Sequence, residues 1–389
     1  MQLSFDGYRL LWAQIFADSA YRARIQINYH RLVVSEAENC HGTTVNTGIG
    51  AAVSAFVVID FNIHRIHQQH LTSKLIKVIR FKVKEEFSQR PSALKIGTVI
   101  YEPTIVDGFD ISVYYSKRVD GALGKPAKDM YNDITCFVDA KSIRERPELV
   151  ALSENGPATR TNKAYTLPWD FVCPTNQEYQ SKVLSFIKET TDEDVEGVIL
   201  NLYHFPEEGF CTCERCSRQQ RESGLGWLEW RAQTVTDFIG RAKKLVKQPF
   251  GIEIWPDPVL AKERFGLDFE ALAEYVDFFH VPLSSHNYVT MYWVDTLTRD
   301  FKKLLKKPMF IELSAEIPRE IETKALLKTV AYVSSHDVEA VLLLVHDAER
   351  AREICRTAVN DSNYRNWLDK FGFENMNKIL ERWKKIYLQ

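Results

Sequence analysis

The stretch Val195-Glu-Gly-Val-Ile-Leu-Asn-Leu-Tyr-His-Phe205 is followed at once by Cys211-Thr-Cys-Glu-Arg-Cys216, an apolar run of strand type leading into a C-x-C-x-x-C cluster. Three thiols within six residues converge with little loop closure, and sulfur is a preferred ligand of tetrahedral zinc. A closed site needs a fourth ligand. Cys173, in Phe171-Val-Cys-Pro-Thr-Asn176, is the choice, because Pro174 and Thr175 are expected to begin a helix there and hold the thiol at a structured turn. Cys40, Cys136 and Cys355 stand apart in sequence and read as small buried hydrophobes. The cluster therefore marks a structural metal loop directly after a strand.

Outward from that strand, short apolar runs alternate with longer amphipathic ones. Strands are expected at Ala55–Asp60, Lys95–Glu102, Ile134–Asp139, Val195–Tyr203, Phe250–Trp255, Val276–Val281, Met309–Ser314 and Val338–Val345. Helical segments include Glu178–Thr190, Trp227–Lys247, Glu322–Ser335 and a closing Phe371–Leu388. Such alternation argues for a parallel sheet with helical crossovers. Eight strands would close it into an α/β fold, the (β/α)8 TIM barrel, with the zinc loop after strand 4. An open doubly wound sheet is the competing architecture, but no glycine-rich phosphate loop follows Asp60. The expected organisation is an N-terminal extension, 1–50, packed on a barrel spanning 51–389. Segments Asp107–Asp133 and Ser153–Leu167 read as long loops.

The 389 residues carry a formal net charge of −2, with 45% hydrophobic and 26% charged residues. That balance supplies no electrostatic footprint for nucleic acid or an anionic membrane surface. No stretch approaches the roughly 20 apolar residues of a membrane span. The first residues lack the basic and apolar regions of a secretory signal. Seven cysteines, three of them clustered, suit a reducing compartment, so a cytoplasmic protein is expected. Nothing in the chain sets an oligomeric state.

In a barrel the chemistry gathers where the strands end. Gly251, Glu253 and Trp255 share one parity, and Phe310, Glu312 and Ser314 another, so Glu253 and Glu312 are expected to point inward. Other strand-end candidates are Asp60, Glu102, Asp139, Asn201, His204, His280, His346 and Asp347. A carboxylate on an apolar strand must find a partner or shift its pKa. Trp169, Trp255, Tyr288, Tyr292 and Trp293 offer flat faces suited to sugar rings, and Ser284-Ser-His-Asn-Tyr288, with His286, offers hydrogen-bonding groups for hydroxyls. His64, His67 and His70 on a helix diverge by about 100° per residue and form no metal triad.

The order Cys173-Pro-Thr-Asn, helix, apolar strand ending in Asn201, then Cys-x-Cys-x-x-Cys resembles the zinc-bearing barrel of the family 42 glycoside hydrolases, the β-galactosidases, and of related glycosidase-like barrels. The resemblance covers roughly residues 165–235. It implies one structural zinc on Cys173, Cys211, Cys213 and Cys216, a carbohydrate substrate, and a nucleophilic Glu at the end of strand 7, here Glu312. The family ends strand 4 with Asn-Glu, the Glu being the acid/base; this chain has Asn201-Leu202. Glu253, Glu102 or His204 would then supply the proton or position the sugar. The expectation is a retaining glycoside hydrolase acting on O-glycosides. The alternative is a barrel that binds sugar or serves as a scaffold without hydrolysis. The zinc-containing tRNA-guanine transglycosylases share Cys-x-Cys-x-x-Cys, but their completing His, some 25 residues on, is not found here.

Overall fold

The computed structural model describes residues 94–283, 291–315 and 320–388. Eight parallel strands close a barrel: β1 (Lys95–Ile100), β2 (Ile111–Lys117), β3 (Tyr131–Thr135), β4 (Gly197–Asn201), β5 (Phe250–Glu253), β6 (Phe278–Pro282), β7 (Met309–Ser314) and β8 (Ala340–Leu344), the last pairing back to β1. The fold is a (β/α)8 barrel, and strands 4 to 8 fall where the apolar runs place them. The early strands differ. The second is Ile111–Lys117, inside the segment read as a loop, so the barrel closes without Ala55–Asp60, which lies outside the described residues together with 1–50, His286 and Tyr288. The third begins at Tyr131 rather than Ile134.

Closure directs every second side chain to one axis. Towards the strand N-termini that axis is apolar: Tyr131, Phe278 and Phe310 form one cluster with Val99, Val113, Ile199 and Leu342. Phe278 and Phe310 stack with ring centroids 4.2 Å apart, and Tyr131 meets Phe278 edge-on at 5.7 Å. Room for these rings comes from two neighbours without side chains, since a Cβ on Gly251 or Gly197 would collide with Phe278 or Tyr131. Two residues further along the same strands the lining turns polar.

The outer layer includes α1 (Ala140–Glu145), α2 (Gln177–Thr191), α3 (Glu214–Ser223), α4 (Trp227–Lys243), α5 (Ala261–Phe265) and α6 (Phe269–Ala273). It continues with α7 (Tyr292–Leu304), α8 (Glu320–Val333), α9 (Ala348–Asn360), α10 (Ser362–Phe371) and α11 (Glu374–Tyr387). Helix α2 starts at Gln177, with the Asn176 side chain accepting from the Tyr179 N–H, so Pro174 and Thr175 precede it. No helix among the described residues is long and apolar enough to cross a membrane.

The β1–β2 connection contains no helix. The C-terminal helix α11 covers it: Trp383 is fully buried, packs on Phe109 at 5.6 Å and donates to the Gly108 carbonyl at 3.0 Å. Arg382 holds Asp110, which in turn accepts from the Ile96 N–H at 2.9 Å. Trp383→Ala is therefore expected to cost about 3–5 kcal/mol, from a large buried ring removed without refilling. Urea unfolding should show the midpoint falling; an unchanged midpoint would mean that α11 contributes nothing to the cooperative unit.

Candidate active site

The polar layer at the C-terminal end of the barrel is built from five neighbouring strands. Asp133 on β3, Asn201 on β4, Glu253 on β5, His280 on β6 and Glu312 on β7 continue the inward parity of Tyr131, Ile199, Gly251, Phe278 and Phe310. A cavity of about 420 Å³ opens above them, floored by Asn201, Glu253 and Glu312. Its walls include Tyr101, Tyr115, Trp169 and Trp255. Tyr101 stacks on Tyr115 at 5.1 Å, while Trp255 meets Trp169 edge-on at 5.7 Å and stacks on Phe265 at 5.0 Å.

His280 is fully buried between two carboxyls: Nε2 lies 3.2 Å from Glu312 Oε2, and Nδ1 lies 4.0 Å from Glu253 Oε2. One carboxyl oxygen each of Asp133 and Glu253 and one His280 ring nitrogen all lie within 4.8 Å of one another. Asn201 Nδ2 donates to Asp133 Oδ1 at 2.5 Å, leaving Asn201 Oδ1 and Asp133 Oδ2 buried without a hydrogen bond among the described residues.

So many acids in one dry space cannot all be charged. Burial, with Asp133 and Glu312 close by, pushes Glu253 up to about 8 against the opposing pull of His280. Burial likewise holds Asp133 well above the usual carboxylate range, Glu312 adding to it and the Asn201 hydrogen bond opposing. Burial alone would lower the His280 pKa, but the Glu312 carboxylate outweighs it and holds the ring above the ordinary histidine value. At neutral pH Glu253 is thus mostly protonated, while the surroundings favour the neutral form of Asp133 and the charged form of His280.

The sequence-derived candidates separate clearly. Glu253, Glu312, Asn201 and Trp255 come together in the cavity lining. His204 does not. Its ring is buried behind the wall, with Nδ1 at 2.6 Å from the Phe205 carbonyl and Nε2 accepting from the Trp255 indole N–H at 2.5 Å. Burial pushes it down to about 4, so it is a neutral support for Trp255 whose remaining N–H is turned to the Phe205 carbonyl rather than to the cavity. Glu102 is exposed on the β1–β2 connection, and Trp293 is exposed on α7 beside Tyr292; neither lines the cavity. Asp139 and Asp347 cap α1 and α9, and Asp139 lies 3.8 Å from the buried Lys117 amine. His346 contacts the Tyr101 ring at 6.0 Å.

Asp133 and Tyr115 were missed. Asp133 lies one turn of the pleat before the run Ile134–Asp139, and Tyr115 sits in the strand read as a loop; the alternation Ile111-x-Val113-x-Tyr115 was the available signal.

Near the same rim, the four cysteines converge. Cys173 precedes α2, and Cys211, Cys213 and Cys216 lie on the connection after β4, with Cys216 in the first turn of α3. Their sulfurs all lie within 4.8 Å of one another, Cys173 being 3.8 Å from Cys213 and 3.4 Å from Cys216. The Leu152 N–H points at Cys211 Sγ, 3.2 Å away. This largely buried cluster is able to bind a metal ion. Cys136 and Cys355 are buried elsewhere, as expected of small apolar residues.

No protein-family model matches the chain, and no curated protein matches it in sequence. Among solved structures it is similar to alpha-L-fucosidase isoenzyme 2 from Paenibacillus thiaminolyticus, at 12% identity and a TM-score of 0.47, over 67% of this chain and 48% of that one. It is also similar to the glycoside hydrolase domain of PelA from Pseudomonas aeruginosa, at 11% identity and a TM-score of 0.39, over 64% of this chain and 94% of that one. A third is the endo-1,4-beta-mannanase from Rhizomucor miehei, at 10% identity and a TM-score of 0.39, over 64% and 85%. The chain spans about half the length of the fucosidase. These neighbours are glycoside hydrolases at low identity.

Proposed function

We propose that the cavity binds a sugar and that the protein hydrolyses O-glycosides by a retaining mechanism. The observation that carries this reading is the meeting of Glu253 and Glu312 in one aromatic-walled cavity, with burial raising Glu253 to about 8. A retaining glycosidase needs one carboxylate to attack the anomeric carbon and one carboxylic acid to protonate the leaving oxygen. Glu312, facing the His280 ring, is the nucleophile. Glu253, protonated at neutral pH, is the acid and then the base. It takes over the task that Leu202 cannot perform at the end of β4. Asn201 Oδ1, with no donor among the described residues, is placed to accept from a sugar hydroxyl, and Trp169 and Trp255 offer faces to the ring.

Dinitrophenyl α- and β-glycosides depart with little help from a proton. Turnover of one of them by the wild type is expected, with a loss of at least about 10³-fold in Glu312→Gln and retention of anomeric configuration in the product by NMR. Inversion would recast Glu312 as a base. Silence across the panel, with the protein folded, would leave a sugar-binding barrel.

The acid is tested by leaving group. Glu253→Gln should reduce turnover of alkyl glycosides by about 10²–10⁴-fold while changing that of dinitrophenyl glycosides far less. Wild-type kcat/KM should fall as pH rises through about 8, where Glu253 loses its proton. Equal losses on both leaving groups would remove Glu253 from the role.

The four-cysteine cluster is proposed to hold one structural zinc. Four thiolates at about 2.3 Å from a common ion stand roughly 3.8 Å apart, in line with the 3.8 Å and 3.4 Å found here. The ion would supply cross-linking and no reactive position, because four protein ligands close its coordination sphere. Metal analysis should give about one zinc per chain, and Cys213→Ser should lose it and melt lower. A metal-free wild type of full stability would refute the site.

A further inference from the structure

The cavity holds two carboxyls that the reaction uses and one cation-forming group between them. His280 presents Nε2 to Glu312 Oε2 at 3.2 Å and Nδ1 to Glu253 Oε2 at 4.0 Å, contacts of charge rather than aligned hydrogen bonds, and neither nitrogen makes a hydrogen bond among the described residues. A neutral imidazole has one N–H and one lone pair, so with either tautomer one of the two glutamates would face a lone pair at the stage when it is the charged one. Two N–H groups suit both neighbours. We propose that His280 is a shared counter-charge, an imidazolium that neutralises Glu312 in the resting site and Glu253 in the glycosyl-enzyme. This deepens the hydrolytic reading above and rests on it.

The charge balance follows the bonds. In the first step a Glu312 oxygen bonds to the anomeric carbon as the bond to the leaving oxygen breaks, and Glu253 gives its proton to that oxygen. Glu312 becomes a neutral ester and Glu253 becomes the carboxylate, so one negative charge has crossed from β7 to β5. In the second step Glu253 takes a proton from water, the water oxygen bonds to the anomeric carbon, and the ester bond breaks to restore the Glu312 carboxylate. His280 keeps both protons throughout and faces whichever carboxyl is charged. The other groups around it do not compete for the role. Burial favours the neutral form of Asp133 on β3, and Arg118 at the cavity rim pairs with Asp120 at 2.8 Å. His280 is thus a positioning residue, acting through the two glutamates.

Two readouts test this. With ¹⁵N-labelled histidine, the His280 ring of the wild type should carry protons on both nitrogens at pH 7, and Glu312→Gln should lower the pH at which it loses one. His280→Gln, which keeps much of the bulk without the charge, identifies the signal. In kinetics, His280→Gln should move both limbs of the kcat/KM–pH profile to higher pH by about one pH unit or more, because each carboxyl loses the cation that favours its ionised form. A histidine that only fills space would lower the rate and leave both limbs in place. A neutral His280 ring in the wild type at pH 7, or limbs that do not move, overturns the proposal. So does a second tightly held metal ion per chain that persists in Cys213→Ser, since a cation beside Asp133 and Glu253 would replace the imidazolium. If no glycoside turns over, the hydrolytic reading fails while the nitrogen spectra still decide the charge on His280.

Discussion

Everything in this barrel depends on the strand pleat meeting a closed circle. Alternate side chains from eight strands must share one axis, so the lining changes as a layer rather than residue by residue. The lower layer is settled by volume, with Phe278, Phe310 and Tyr131 filling space that Gly251 and Gly197 vacate. The next layer inherits the same inward direction but carries Asp133, Glu253, His280 and Glu312. Those groups cannot turn outward without shifting the register of whole strands, which would drive the aromatic layer out with them. The packed rings below therefore hold the acids above in a place that water alone would not favour, and the raised carboxyl pKa values are the consequence.

The sequence made the later half of this arrangement legible. Gly-Ile-Glu253 and Phe-Ile-Glu312 each carry a single acid in an otherwise apolar run, so parity alone aims the carboxyl inward. The early half was harder, for physical reasons. Strand β2, Ile-Ser-Val-Tyr-Tyr-Ser-Lys, is bounded by Gly108 and Gly121 and is joined to β1 and β3 without helices, so the strand–helix rhythm that reveals the others is missing. Its place in the barrel depends on α11, some 270 residues away, which supplies the cover that a crossover helix would give. Asp133 was hidden by a shift of frame: taking the strand as Ile134–Asp139 put Asp139 at the rim, whereas Asp139 caps α1. His204, at a strand end, gave no hint that Trp255 would claim its free nitrogen.

The cysteine cluster and the cavity are connected through the β4–α3 region. Arg231, fully buried on α4, donates to the carbonyls of Glu207, Glu263 and Arg264, tying the loop that leads to Cys211 to helix α5. Arg264 holds Glu207 at 2.7 Å and Asp257 at 3.2 Å, and the Phe205 N–H donates to the Phe265 carbonyl at 3.2 Å. Phe265 stacks under Trp255. The cysteine cluster thus lies at one end of a continuous set of contacts whose other end is an aromatic wall of the cavity. A metal bound there would stiffen the wall by restraining the loop behind it.

Leu202 brings these constraints together. It follows Asn201 at the end of β4 with φ of +47°, a left-handed conformation that a branched apolar residue adopts at a cost of about 1 kcal/mol or more. The conformation is held from behind: the Cys136 and Phe137 N–H groups donate to the Asn201 and Leu202 carbonyls, each at 2.9 Å. The backbone at this point is therefore kept in an unusual turn although the side chain brings no acid to the cavity. A carboxyl here would add to Asp133, Glu253 and Glu312 in the same layer, beside the His280 ring. Leucine in this place keeps a further acid out of that layer, and in the proposed hydrolysis the proton-donating task would fall to Glu253 on β5, which burial pushes up to about 8.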